Sequence, residues 1–112
     1  MQNKRLTINL DNIASNLRYF KSLTPQKMIF VAKSNCYGHG LKPVAKKVKD
    51  IVDWYAVIDI SDGIALRKLG IDKPILLMAS PTKNEIKKTH PSKRRMWALS
   101  FIYRFSLIRN SD

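Results

Sequence analysis

The fold of this chain is most constrained by an alternation of short apolar runs with amphipathic helical stretches. Continuous apolar runs occupy residues 27–33, 54–58 and 75–78, and helical apolar stripes lie between them at 41–52 and 61–69. Unbroken apolar runs are typical of strands that are covered on both faces. The order β-α-β-α-β with short links therefore predicts an α/β fold with a parallel sheet and right-handed crossovers.

The segment before this region predicts one more strand and one more helix. Polar and apolar residues alternate over Arg5–Leu10, which predicts a half-buried strand. Asp11 is expected to cap the following helix, which runs to about Leu23. Further along, Ser61 is expected to cap the third helix and Gly70 to end it.

Charge is distributed unevenly along the 112 residues. The chain carries 21 Lys and Arg against 8 Asp and Glu, for a net charge of +13. Residues 1–81 contribute +7, and residues 82–112 contribute +6. Past Ser80 the helical and strand patterns end, and the stretch from Met96 to Arg109 is apolar and aromatic without clean periodicity. A change in composition near His90 thus sets residues 81–112 apart as a basic tail.

Cysteine content and hydropathy give expectations about location. Cys36 is the single cysteine, so no internal disulfide can form, which fits a reducing cytoplasm. The N-terminus does not resemble a signal peptide. No stretch approaches the roughly 18 apolar residues of a membrane span, and Arg104 interrupts the nearest candidate. We therefore expect a cytoplasmic protein with no membrane span and no metal site.

The most informative motif is the segment Val31–Gly40, with the sequence VAKSNCYGHG. Its lysine, Lys33, ends an apolar run, so it is expected at the carboxyl edge of a parallel sheet, where active sites of such folds lie. Partial burial there lowers the pKa of a lysine and makes its amine useful as a nucleophile or base. Taken alone, Lys33 could equally be a rim lysine with a buried stem and a solvated amine.

This segment closely resembles the pyridoxal-phosphate attachment site of alanine racemases, a Lys-x-Asn-x-Tyr-Gly-His-Gly pattern. Four further segments resemble the same family in the same order, so that the likeness covers about residues 5–80: residues 9–17, 53–57, 64–71 and 74–78. The resemblance implies the first few βα units of a (β/α)8 barrel, preceded by a strand and a helix. It also implies interconversion of L-alanine and D-alanine, which supplies D-alanine for peptidoglycan.

The resemblance assigns roles to four residues. Lys33 would attach pyridoxal phosphate covalently and then move a proton on one face of the amino-acid Cα. Tyr37 would donate a hydrogen bond to the cofactor phosphate. Met78 and, with a weaker match, Val31 correspond to positions that line the cofactor pocket. Turn packing is an alternative role for Tyr37, as is plain core packing for Met78 and Val31.

Other residues of the motif are given structural roles. Asn35 is expected to tie down the loop, and Cys36 to fill space rather than act as a nucleophile. His39 is expected to form a structural hydrogen bond and receives no catalytic role. Gly38 and Gly40 supply the positive φ that a tight turn requires.

Several features of the family have no counterpart in this chain. They are the tyrosine on the opposite face of the substrate, an arginine at the pyridine nitrogen and late phosphate contacts. A whole barrel also needs roughly 250 residues. We therefore expect residues 1–80 to be the N-terminal fragment of a racemase barrel that is inactive alone, and residues 81–112 to be an unmatched tail, explained by a frameshift. The full-length family forms homodimers.

Two other functions stay open at this point. Lys93-Arg94-Arg95 lies close to Trp97, Phe101, Tyr103 and Phe105 in sequence, which would suit a small basic protein that binds nucleic acid or an anionic membrane. No specific nucleic-acid motif is present. A single-domain pyridoxal-phosphate carrier also holds a strand lysine, but its surrounding motif differs from Tyr-Gly-His-Gly.

Overall fold

A computed structural model describes residues 3–79 and 82–84, together with the backbone of residues 96–99 and 105–108. Within these residues, helical and extended segments alternate as the apolar pattern predicts. The helical elements are α1 (Leu10–Ser22), the short α2 (Lys33–Tyr37), α3 (Leu41–Val48) and α4 (Ile60–Lys68). The strands are β1 (Ile29–Val31), β2 (Trp54–Val57), β3 (Ile75–Leu77), β4 (Met96–Leu99) and β5 (Phe105–Ile108).

The strands form one sheet in the order β1-β2-β3-β4-β5. Strands β1 to β4 run parallel to one another, whereas β5 runs antiparallel to β4. The predicted parallel pairing of the three apolar runs is thus confirmed. Strands β4 and β5 arise in the tail, where no periodicity predicted them.

The register of the sheet separates two faces. Tyr55 pairs with Phe30 on one side and with Ile75 on the other, so these three side chains share a face. Together with Val57 and Leu77, which follow on the same face, they pack against α3 and α4, and all except Phe30 are fully buried. The opposite face carries Val31, Ala56, Leu76 and Met78, and apart from Ala56 these side chains are only partly buried. The core therefore lies between the sheet and the helices.

Helix α1 is fixed beside α3 by polar contacts at both of its ends. Asp11 forms an ion pair with Lys47 of α3. Near the other end, the Nζ atom of Lys21 donates to the backbone oxygen of Ile51 at 2.8 Å and lies 3.3 Å from a carboxylate oxygen of Asp53. Since Asp53 immediately precedes β2, these contacts fix α1 relative to the sheet.

The predicted strand over Arg5–Leu10 is wrong. Residues 3–9 have no regular structure, and α1 already begins at Leu10. Leu6 is 78% exposed, and no strand among the described residues pairs with this segment. An extended segment gains little from alternating residues without a neighbouring strand and an apolar surface to cover.

Two predicted helix caps are also wrong, and one helix end is confirmed. Asn9 caps α1, because its side-chain oxygen accepts the N–H of Asn12 at 3.0 Å, so Asp11 lies inside the helix. The N-cap of α4 is Asp59, two residues before the predicted Ser61. Gly70 does follow α4, with a φ of +83°. No helix among the described residues has the length and apolarity needed to cross a membrane.

Candidate functional site at the carboxyl edge of the sheet

Lys33 lies directly beyond the carboxyl end of β1. The last bond of the β1–β2 ladder is donated by the N–H of Ala32 to the oxygen of Ala56, at 2.8 Å. The side chain of Lys33 is half-buried. On the other side of β2, the N–H of Met78 donates to the oxygen of Val57 at 2.8 Å. Lys33 and Met78 therefore leave the sheet at the same edge, as expected for parallel strands.

The backbone after Lys33 forms a left-handed turn. Ser34, Asn35, Cys36 and Tyr37 have φ values of 53°, 54°, 52° and 54°. None of these residues is glycine, and the left-handed helical region costs an L-residue roughly 1–2 kcal/mol. Local preference therefore opposes this conformation, and contacts elsewhere in the fold must maintain it.

Backbone hydrogen bonds close the turn and connect it to α3. The N–H of Gly38 donates to the oxygen of Ser34 at 3.1 Å, and the N–H of Gly40 donates to the oxygen of Asn35 at 2.9 Å. Both glycines have positive φ, 85° and 96°. Glycine adopts positive φ without the steric cost that other residues incur, so both residues suit these positions. The Gly-His-Gly part of the motif thus ends the turn and starts α3.

Two side chains of the motif add further bonds. The Oδ1 atom of Asn35 accepts the N–H of Leu41 at 2.8 Å. The Nδ1 atom of His39 lies 2.9 Å from the oxygen of Cys36 and donates to it, since a carbonyl can only accept. These bonds agree with the structural roles expected for Asn35 and His39.

The turn brings Lys33 and Tyr37 together. The Nζ atom of Lys33 lies 5.8 Å from the centroid of the Tyr37 ring. That is within the range of a cation–π contact. Tyr37 is 60% exposed, so its phenol is accessible to a ligand. An amine and a hydrogen-bond donor therefore face the same open region at the edge of the sheet.

Val31 and Met78 lie on the sheet face opposite the helices. Val31 pairs with Ala56, and Met78 follows Leu77, which pairs with Val57. Both are half-buried, whereas the residues that face the helices in β2 and β3 are fully buried. The structure thus leaves both residues partly accessible on the sheet face that the helices do not cover.

Cys36 lies beneath the turn and is only 4% exposed. Burial, together with the nearby carboxylate of Asp62, raises the pKa of its thiol to about 11. A thiol of this kind stays protonated at neutral pH, so it is a poor nucleophile. Its position agrees with the space-filling role expected from the sequence.

The left-handed turn is the feature of this site that the sequence did not reveal. A signal was present, because Asn adopts positive φ more readily than most residues and two glycines follow Asn35 within five positions. Among the described residues, no group of three His, Cys, Asp or Glu side chains is placed to hold a metal ion. The basic cluster Lys93-Arg94-Arg95 and the aromatic side chains of the tail lie outside the described residues.

Comparison with known proteins identifies the family of this chain. A family model described as the alanine racemase N-terminal domain matches residues 8–97. The alanine racemase of Streptococcus equi subsp. equi is 36% identical over 81 residues, which is 70% of this chain and 22% of that protein. The alanine racemase of Carboxydothermus hydrogenoformans is 39% identical over 83 residues, which is 72% of this chain and 23% of that protein.

Solved structures give the same result. The alanine racemase of Clostridium difficile 630 matches with a TM-score of 0.67 and 39% identity, over 73% of this chain and 23% of that one. The enzyme from Corynebacterium glutamicum matches with a TM-score of 0.66 and 30% identity, over 70% of this chain and 24% of that one. The chain spans about 22% of the length of the relatives it matches. The predicted partial barrel is confirmed, and the chain belongs to the alanine racemase family, of which it carries part of the N-terminal domain.

Proposed function

We propose that this chain is the cofactor-attaching segment of a pyridoxal-phosphate-dependent alanine racemase, with Lys33 as the attachment residue. The observation that carries the proposal is the Lys33 amine, which leaves the carboxyl edge of the sheet 5.8 Å from the ring of Tyr37. Because the chain covers about 22% of its relatives, we expect the 112 residues by themselves not to racemise alanine.

The residues at the edge suit the cofactor chemically. A primary amine can bond the cofactor aldehyde, and the exposed phenol of Tyr37 can donate to its phosphate. Val31 and Met78 supply partly exposed apolar surface on the adjoining face. When bound, pyridoxal phosphate acts as an electron sink for a carbanion at the amino-acid Cα.

Within this proposal, the chain supplies one of the two proton-transfer groups that a racemase needs. Lys33 removes or returns the proton on one face of the Cα of alanine, and Tyr37 orients the phosphate. Neither Tyr19 nor Tyr55 is placed to serve the opposite face. Tyr19 lies on α1, and the phenol of the fully buried Tyr55 donates to the oxygen of Ala45. We propose that the second group comes from outside the part of the chain that the structure describes.

Substrate, assembly and location follow as further parts of the proposal. Alanine is the proposed substrate, and the longer protein is proposed to form a homodimer. A buried, unpaired Cys36 supports a cytoplasmic site of action. D-alanine made there would supply peptidoglycan synthesis.

Borohydride trapping tests the attachment residue. The protein is incubated with pyridoxal phosphate, reduced and digested, and the labelled peptide is identified by mass spectrometry. We expect the label on Lys33, its loss in Lys33→Ala and its retention in the control Lys27→Ala, since Lys27 is an exposed lysine that precedes the same strand. A label on another lysine, or none in the unmodified protein, would contradict the proposal.

A further inference from the structure

We propose that Asn35 and His39 are positioning residues for the cofactor. Their side chains lock the left-handed turn α2, so that the Lys33 amine and the Tyr37 phenol are held at one separation, suited to the aldehyde and the phosphate of pyridoxal phosphate. The inference rests on the proposed function, and it concerns how this chain sets the distance between its two cofactor contacts.

The conformation of α2 requires external support. Four consecutive residues other than glycine, Ser34 to Tyr37, have φ values between 52° and 54°. Each of them would be more stable in a right-handed or extended conformation. Such a segment persists only when the surrounding structure determines it. The side-chain bonds made within and next to the turn add to the backbone bonds that close it.

Asn35 ties the middle of the turn to the start of α3. Gly40, the N-cap residue of α3, offers no side-chain cap. The Oδ1 atom of Asn35 accepts the N–H of Leu41 at 2.8 Å instead, and its backbone oxygen accepts the N–H of Gly40 at 2.9 Å. Asn35 therefore acts as a cap supplied from the preceding turn. Since Leu41 is buried in the core, this bond fixes the turn to a rigid element.

His39 closes the turn around Cys36. Its Nδ1 atom donates to the oxygen of Cys36 at 2.9 Å, and its backbone N–H donates to the same oxygen at 3.0 Å. The side chain of Cys36 is packed in the core. The exposed His39 thus connects the end of the turn to Cys36, a buried residue that directly precedes Tyr37.

The conformation of the turn determines how the two residues at its ends lie relative to each other. Lys33 precedes the left-handed stretch and Tyr37 ends it, so a change in handedness would turn the tyrosine away from the amine. The present contact is 5.8 Å from Nζ to the ring centroid. If the turn no longer held Lys33 and Tyr37 together, a cofactor that contacts both would bind more weakly. Part of its binding free energy would then be spent on ordering the turn.

The test compares paired substitutions in the full chain. Asn35→Ala and His39→Ala remove the bonds, whereas Asn35→Asp keeps the acceptor and His39→Asn keeps a donor at the position of Nδ1. Asn16→Ala, an exposed site in α1, is the matched control. The readouts are pyridoxal-phosphate affinity by absorbance titration, thermal unfolding, and the NMR shift of the Lys33 ε-protons, which the ring of Tyr37 displaces.

We expect both alanine variants to bind pyridoxal phosphate at least tenfold more weakly and to move the Lys33 shift as Tyr37→Leu does. The conservative variants and the control should stay within threefold of the unmodified protein. A purely structural role predicts that affinity follows the melting temperature across all variants, which would overturn the inference. Unchanged affinity and shift in both alanine variants would overturn it as well.

The two proposals fail in different ways. If the unmodified protein binds no pyridoxal phosphate, the proposed function fails, and the Lys33 shift alone decides on positioning. A shift that Asn35→Ala changes and Asn35→Asp restores then supports only the claim that Asn35 sets the separation of Lys33 and Tyr37, and an unaltered shift overturns that claim as well. Should Asn35→Ala not fold, the His39 pair decides, because His39 is exposed and its ring bonds to a single backbone oxygen among the described contacts.

Discussion

Tyr55 connects the sheet to a helix from the centre of the core. Its side chain is fully buried, and its phenol donates to the oxygen of Ala45 in α3 at 2.6 Å. Its ring meets Phe30 edge-on, with the ring centroids 6.1 Å apart. Burial raises the pKa of Tyr55 well above its usual range, so the phenol keeps its proton and remains a donor.

Removal of this donor should be measurable. We expect Tyr55→Phe to lower the free energy of unfolding by about 1 kcal/mol, because the buried oxygen of Ala45 loses a partner. Urea denaturation followed by circular dichroism checks the value. The matched control is Tyr19→Phe, where the side chain is 63% exposed. An equal effect at both positions would contradict the interpretation.

Asp53 makes stability depend on pH. Its carboxylate accepts the N–H of Met28 at 2.7 Å and lies beside the ammonium of Lys21. These contacts, the bond from Met28 foremost, lower the pKa of Asp53. A carboxyl group with a lowered pKa in the folded state stabilises the fold above its unfolded pKa of about 3.9, and that contribution is lost as the pH falls through the folded value.

We therefore expect the melting temperature to fall below about pH 4, and to fall less steeply in Asp53→Asn. Asp62 is a control of opposite sign, because burial and the neighbouring Asp59 raise the pKa of its carboxyl group. Asp62 is destabilising when ionised, so acid relieves that penalty, and Asp62→Asn should steepen the decline. Thermal scans from pH 6 to 3 give the melting temperature of the unmodified protein, Asp53→Asn and Asp62→Asn. An equal fall of the melting temperature with pH in all three would contradict these two roles.

Among the secondary-structure elements, α1 shows how a single side chain sets a helix boundary. The Oδ1 atom of Asn9 accepts the N–H of Asn12 at 3.0 Å, which satisfies one free donor of the first turn. We expect Asn9→Ala to cost about 1 kcal/mol of stability. Asn9→Asp keeps the acceptor and should recover most of that loss in urea denaturation. Equal stability of all three proteins would contradict this role.

The elements that the sequence predicts correctly are those whose burial pattern is local. Strands β1 to β3 follow from unbroken apolar runs, and α3 follows from a stripe that the structure buries at Leu41, Val44, Ala45 and Val48. The strand over Arg5–Leu10 fails, because a strand is decided by a neighbouring strand that the local pattern does not contain.

Helix caps and the left-handed turn show two further limits of local patterns. Asn9, Asp11 and Asn12 are all good capping residues, so composition alone could not select the first of them. The turn after Lys33 runs against local preference, and the bonds of Asn35 and His39 maintain it. The bond of Asn35 becomes visible only once α3 is placed, because its donor is the N–H of Leu41. The motif thus indicated a candidate site, and the fold revealed how the turn at that site is held.

At the scale of the whole molecule, the sheet has an open edge. Strand β1 pairs with β2 and with no other described strand. Ile29 of β1 is exposed, and the chain also exposes three apolar side chains in and directly after α1, namely Tyr19, Phe20 and Leu23. In a closed barrel, each of the parallel strands has two neighbours. An unpaired edge with apolar neighbours favours association with other chains.

We expect the isolated chain to sediment faster as its concentration rises. Ile29→Lys places a charge on the edge strand, at a side chain that is already 50% exposed, and should shift the protein toward the monomer. Sedimentation velocity over a hundredfold range of concentration measures both effects. The control is Lys27→Glu. Val31→Lys is avoided because Val31 belongs to the proposed site. A monomer at every concentration would refute this expectation.

The burial of Cys36 has a practical consequence. The sulfur is sealed beneath α2, and its pKa of about 11 leaves little thiolate at neutral pH. A thiol reagent must therefore wait until the segment opens. Since no other cysteine occurs in the chain, the labelling rate counts openings at this one place. Cysteine labelling would therefore measure how often the turn that follows Lys33 opens.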